Sequence, residues 1–247
     1  ITDGTNVTVD NTSPIISSIS INPDNTAFIV TFSEDVFTNT DGTGELTTSE
    51  FTVSVANGVA TLTSVDSISK ISNSIYTLNL TISGTATGEE TLTVVPASST
   101  SIYDAAGNAM STTQSNNTIN LTDLALPTIN TLTISSNNSI KTNYAGENDI
   151  VTLNIVASES IITPTVVFKS NGVTVTNAVT YSGAGTRWTA QYTVSSSDTN
   201  GEISFTVDAS DILGNTATQA TATTNSSSVT KVGNSSVTIS TPGVSGN

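Results

Sequence analysis

The sequence predicts an all-β protein made of two tandem β-sandwich domains. Three observations carry that expectation. Apolar residues alternate with polar ones from end to end, tight-turn dipeptides separate the alternating runs, and the pattern repeats after about 110 residues.

Alternation with period two is clearest at Val151-Leu153-Ile155, Trp188-Ala190-Tyr192-Val194 and Ile203-Phe205-Val207. In an extended chain this places apolar side chains on one face and Thr, Asn or Asp on the other. No helical stripe of useful length interrupts it. Asn57-Gly58, Asn171-Gly172 and Asn200-Gly201 lie between such runs, and Asn-Gly suits tight turns that need positive φ. Of the 247 residues, 85 are Ser or Thr and 25 are Asn. Polarity with so few charges can mark disorder, but disordered tracts lack alternating β-branched residues. Here the hydroxyl side chains fill the outward positions of strands.

Taken in order, residues 14–122 give strands at 15–21, 27–32, 50–56, 59–65, 74–82, 91–96 and 117–121. Residues 123–228 give strands at 128–134, 149–156, 165–169, 172–180, 186–194, 201–208 and 216–224. Residues 1–13 read as the end of a preceding repeat or a linker, with a strand-like Asn6–Val9. Residues 229–247 read as a linker or the first strand of a following module, with a strand-like Ser236–Ser240. The chain opens at Ile1 with neither an initiator Met nor a signal peptide, so it reads as mature or excised material from a longer array.

The repeat aligns function-bearing positions as well as strands. Asp10-Asn-Thr-Ser-Pro14 precedes the first strand of one module and Asp123-Leu-Ala-Leu-Pro127 that of the other, an offset of 113 between the prolines. The second strand leaves through Ser33-Glu34-Asp35 in one and Ala157-Ser158-Glu159 in the other. Late in each module stands Asp-x-x-Gly-Asn, at Asp104–Asn108 and Asp211–Asn215, 107 residues apart. Seven short strands per module, with turn signals and no helix, predict an Ig-like Greek-key β-sandwich twice over.

Thr31-Phe-Ser-Glu-Asp-Val36 and Asp104-Ala-Ala-Gly-Asn108 resemble the Ig-like repeats of large bacterial cell-surface and adhesin proteins. Thr186-Arg-Trp-Thr-Ala-Gln-Tyr-Thr-Val194 and Asp208–Asn215 resemble a sister repeat class of the same proteins. The resemblance spans roughly residues 10–224 and implies a sandwich fold, an extracellular, cell-surface location, tandem arrays, and a role in adhesion or as a spacer. It implies no chemistry.

Composition narrows the function further. The chain carries 20 acidic and 5 basic residues, for a formal charge of −15. Phosphate neutralisation needs Lys and Arg clusters, so nucleic acid is excluded as a partner. An anionic membrane surface repels such a chain, and no apolar run reaches the roughly 20 residues of a membrane span. There is no Cys and no His, which removes disulfides, thiolate metal sites and every Ser–His–Asp or Cys–His nucleophile arrangement. Lys70, Lys141, Lys169 and Lys231 have no nucleophile motif around them, and Glu89-Glu90 sits in a predicted turn. The expectation is that the protein is not an enzyme.

Divalent cations are the natural counterpart of this acidity. At the N-terminal pole of an Ig sandwich the incoming chain, the loop after the second strand and the loop before the last strand converge. These bring Asp10, Glu34, Asp35, Asp104 and Asn108 in the first module. In the second they bring Asp123, Glu159, Asp208, Asp211 and Asn215. Carboxylates, amide oxygens and backbone carbonyls are the ligands calcium takes, so Ca²⁺ at the domain junctions is the expected cofactor. The competing account is turn chemistry alone, since Asp and Asn beside a Gly shape loops by bonding nearby N–H groups.

The composite reading is a non-enzymatic structural or stalk segment of an extracellular surface adhesin, rigidified by calcium. Its partners would be neighbouring Ig-like modules or identical subunits. Two alternatives stay open: a subunit of an extracellular filament or surface layer, and an adhesion module that binds a surface glycan or protein. The last needs an exposed aromatic cluster; only Tyr103 and Tyr144 fall in or near loops.

Overall fold

The computed structural model describes residues 9–233. Its chain divides into two compact units, Ile1–Ala125 and Leu126–Asn247. Each is an all-β sandwich, and no α-helix occurs among the described residues. The strand-like runs expected at Asn6–Val9 and Ser236–Ser240 lie outside the described residues, apart from Val9, which is not in a strand.

The first unit contains β1 (Ile16–Ile21), β2 (Ala27–Phe32), β3 (Phe51–Ala56), β4 (Thr61–Ser72), β5 (Ile75–Ser83), β6 (Thr91–Pro96) and β7 (Thr118–Asn120). One sheet has the order β1-β2-β5-β4 and the other β3-β6-β7. First, second, fifth and fourth strands on one sheet, third, sixth and seventh on the other, is the strand distribution of a constant-type Ig sandwich. The core follows from alternation: Phe28, Val30 and Phe32 on β2, Tyr76, Leu78 and Leu80 on β5, and Leu92 and Val94 on β6 are all buried. Each such side chain contributes about 1.5–3 kcal/mol by leaving water.

The second unit contains β8 (Ile129–Ser136), β9 (Tyr144–Ala145), β10 (Ile150–Ala157), β11 (Thr165–Ser170) and β12 (Val173–Thr174). It continues with β13 (Thr180–Ala184), β14 (Arg187–Thr193), β15 (Gly201–Asp208) and β16 (Val229–Lys231). The sheets run β13-β14-β10-β8 and β12-β11-β15-β16-β9. This is the same Ig plan with two additions: β12 widens the second sheet, and the short β9 pairs in parallel with β16. Val151, Leu153 and Ile155 pack with Phe168, Ala190, Tyr192, Ile203 and Phe205. The Phe168 and Tyr192 rings lie 4.9 Å apart.

Two Asn-Gly pairs make the expected turns, with φ of 65° and 57° at Asn57-Gly58 and 51° and 83° at Asn171-Gly172. The third does not: Gly201 begins β15 instead.

Several strand assignments change. The run 172–180 breaks into β12 and the edge strand β13, because the chain crosses there from one sheet to the other. No continuous strand forms over 216–224; isolated bridges at Thr216 and Ala220 and the hydrogen bonds of Thr224 to Leu132 hold that stretch. Its apolar residues are alanines, which bury too little area to fix a strand. The last strand is β16, at residues expected to be linker; Val229, fully buried, supplies the missing anchor. Conversely, β4 runs on to Ser72 with three register shifts.

Candidate metal centre and the acidic loops

Both Asp-x-x-Gly-Asn motifs fold into the same closed loop. Asp104 accepts the N–H groups of Ala106 at 2.9 Å and Asn108 at 2.7 Å through Oδ1, and the Asn108 side-chain amide at 2.7 Å through Oδ2. Asp211 accepts Leu213 N–H at 2.9 Å, Asn215 N–H at 2.8 Å and the Asn215 amide at 2.7 Å. The aspartate N–H closes each loop on the Asn carbonyl, at 3.1 Å in the first and 3.0 Å in the second. Asp104 is 1% exposed and Asp211 4%. Burial pushes the Asp104 carboxyl up, but the hydrogen bonds from Asn108, Ala106 and Gly107 outweigh it and hold it below the usual range.

In the first unit this loop meets two other carboxylates. One oxygen each from Asp10, Glu34 and Asp104 lies within 4.8 Å of the others. Asp10 is drawn in by its own backbone, whose carbonyl accepts the Asn108 amide at 3.1 Å. Glu34 is placed by Ser33, which exchanges hydrogen bonds with Ile15 at 2.9 and 3.1 Å and so pins the end of β2 to the incoming chain. Glu34 responds electrostatically: burial, then the charges of Asp104 and Asp10, push its carboxyl up. Asp35 does not join the group and accepts the Asn73 amide at 3.3 Å.

The second unit repeats the scaffold. Ser158 exchanges hydrogen bonds with Thr128 at 2.8 and 2.9 Å, and the carboxylates of Glu159 and Asp211 come within 4.8 Å. Asp208 is exposed and accepts the Gln219 amide at 2.8 Å. Asp123, in the first unit beyond β7, accepts the Ala125 N–H at 2.8 Å.

Sequence reasoning missed two things. The Ser33 and Ser158 clamps were legible in principle, since Ser-Glu follows the second strand in both modules. Glu90, assigned to a turn, is fully buried and accepts N–H groups of Val59, Ala60 and Thr87 at 2.8–2.9 Å. Burial pushes its carboxyl up, yet the N–H groups of Ala60, Thr87 and Val59 bring it down to about 2. Of the two loop aromatics, Tyr103 is taken up in bridges to Phe37 and Ala109, while Tyr144 lies in β9.

No family model matches the chain, and no curated protein matches it. Among solved structures, the I-band fragment I67–I69 of titin is similar at 11% identity and a TM-score of 0.44. The match covers 91% of this chain and 66% of that one. An E-to-A variant of titin domains I67–I69 gives 13% identity and 0.41, over 90% and 65%. Tandem Ig repeats of Dlar give 13% and 0.23, over 90% and 97%. The chain thus spans just under two thirds of the length of the titin fragments it matches. Likeness at this level carries no functional argument; the Ig-like assignment stands on the strand order of the two units.

Proposed function

We propose that this chain is a non-enzymatic structural segment of an extracellular surface adhesin, stiffened by calcium at the N-terminal pole of its first sandwich. The observation that carries the reading is the meeting of Asp10, Glu34 and Asp104 from three separate chain segments. Three like charges this close repel unless a cation neutralises them. Calcium accepts six to eight oxygens, and carboxylates and carbonyls are the oxygens this pole offers. A cation bound there would tie the incoming chain, the exit of β2 and the loop before β7 into one rigid pole.

The buried carboxylates support architecture over chemistry. Asp104 and Asp211 spend their oxygens on N–H groups of their own loops, and Glu90 spends its on the N–H groups of Thr87 and of the distant Val59 and Ala60. A chain without His or Cys that occupies its buried acids in this way is built to hold shape. The strongly negative charge and the Thr- and Ser-rich strand faces suit a solvated stalk, in line with the surface-protein resemblance of the motifs.

The test is thermal unfolding of the whole chain with calcium and with a chelator. A higher melting temperature in calcium, reversed by chelation and lost in Glu34→Gln, supports the proposal. Identical melting in both conditions overturns the calcium part.

A further inference from the structure

The second unit buries a cation that the acidic loops do not use. Lys231 on β16 is 6% exposed, and its Nζ donates to Asn200 Oδ1 at 2.8 Å. The ladder register fixes this pairing, because Gly201, the neighbour of Asn200, sits opposite Lys231. The other end of the amide is confined as well: a Cβ at position 233 would stand 2.9 Å from Asn200 Nδ2. Glu147 and Asp198 line the same cleft of about 360 Å³. Yet neither carboxylate forms an ion pair with Lys231. A buried ammonium facing a neutral amide, with carboxylates in the same cleft but none ion-paired to it, is a costly way to place a charge. It is also the arrangement of a nucleophile, an acyl group and a proton carrier.

We propose that Lys231 and Asn200 join in an intramolecular isopeptide bond. The amide carbon lies one carbonyl bond beyond Oδ1, so Nζ is within about 4 Å of it, close to attack distance. The Lys231 ammonium gives one proton, relayed by water across the cleft, to the carboxylate of Asp198 or Glu147. The amine then attacks Asn200 Cγ, and the Nζ–Cγ bond forms. As the Cγ–Nδ2 bond breaks, a second proton passes from Nζ by the same water relay to Nδ2, which leaves as ammonia. The first proton is released to solvent. One amide replaces another, with no oxidant, reductant or water consumed. The product closes the span from the start of β15 to the end of β16. That span contains the irregular stretch 209–228, so the bond removes the freedom of the loop that the strands alone hold least firmly.

Mass spectrometry of the intact folded chain decides the matter. The expected mass is lower than the sequence mass by one ammonia. Trypsin would then fail to cut after Lys231, so that residues 188–247 appear as one peptide in place of 188–231. Lys231→Arg and Asn200→Ala should each restore the sequence mass, and both should melt below the parent chain. An unaltered mass overturns the proposal. A gain of about one mass unit, the sign of Asn200 deamidation before Gly201, also overturns it. An ammonia deficit that persists in Lys231→Arg overturns it too, since a succinimide at Asn200-Gly201 would then account for the loss.

Discussion

Asp104 and Asn108 are bound to one another three times: backbone N–H to carbonyl at 3.1 Å, backbone N–H to carboxylate at 2.7 Å, and side-chain amide to carboxylate at 2.7 Å. The first and last residues of the motif thereby form a closed ring, and the Gly between them supplies the one backbone conformation the ring needs. Asp211 and Asn215 reproduce the same set in the second unit. The two accounts weighed for this motif, turn chemistry and metal ligation, are therefore not exclusive. The ring spends one oxygen of Asp104 on two backbone N–H groups and holds the carboxylate at a fixed point beside Asp10 and Glu34.

Breaking the ring should be expensive. Asp104→Ala removes three hydrogen bonds to a carboxylate and leaves two backbone N–H groups without their acceptor. The expected loss is about 2–4 kcal/mol in denaturant unfolding of a calcium-free sample. Asp104→Asn should lose nearly as much, because its amide would turn a donor toward the Asn108 donor. A loss under about 0.5 kcal/mol, typical of surface changes, would show that the ring contributes nothing.

Glu90 predicts an acid transition in the first unit. Its folded-state value of about 2 lies below the ordinary 4.5. A depressed carboxylate contributes stability that is complete above the ordinary value and disappears as pH falls toward the folded one. The contribution is on the order of 1–2 kcal/mol once solvent screening is allowed for. Glu90→Gln should be less stable at neutral pH and should flatten the stability curve between pH 4.5 and 2. Parallel curves for parent and variant across that window would refute the assignment.

How much of this was legible in the sequence depends on what each residue contributes. The strands β2, β5, β10, β14 and β15 fell where alternation put them, because large apolar residues at every second position leave one register available. The stretch 216–224 misled because Ala and Thr alternate there without enough area to bury. Val229, the residue that anchors the last strand, stands almost alone. The carboxylates at the first unit's pole were legible because the repeat aligned them. Glu90 was not: it is recognised by N–H groups of Val59 and Ala60 some thirty residues away, and no local pattern announces such a contact. The Lys231–Asn200 pair was hidden for the same reason.

Glu34 gives a sign test for the cation. Burial and the charges of Asp104 and Asp10 raise its carboxyl, so in the absence of metal the ionised side chain opposes folding. Stability contributed by this group therefore rises as pH falls through its raised folded-state value. Without calcium, Glu34→Gln should match or exceed the parent in melting temperature. With calcium the order should invert, because the variant has lost a charged ligand. If the variant melts lower in both conditions, Glu34 serves packing rather than metal.

Gly107 and Gly214 hold the same place in their rings, with φ of 87° and 93°, yet their surroundings differ. At Gly107 an added Cβ would stand 2.8 Å from the Thr40 carbonyl oxygen, whereas at Gly214 it would meet nothing within 4 Å. Alanine at either position incurs the left-handed backbone cost of roughly 1–2 kcal/mol. Only Gly107→Ala adds a collision with backbone, which cannot swing aside as a side chain could. Gly107→Ala should therefore destabilise its unit more than Gly214→Ala destabilises the other, measured as separate unfolding transitions. Equal losses would mean that Thr40 yields and that the loop before β3 is softer than its contacts suggest.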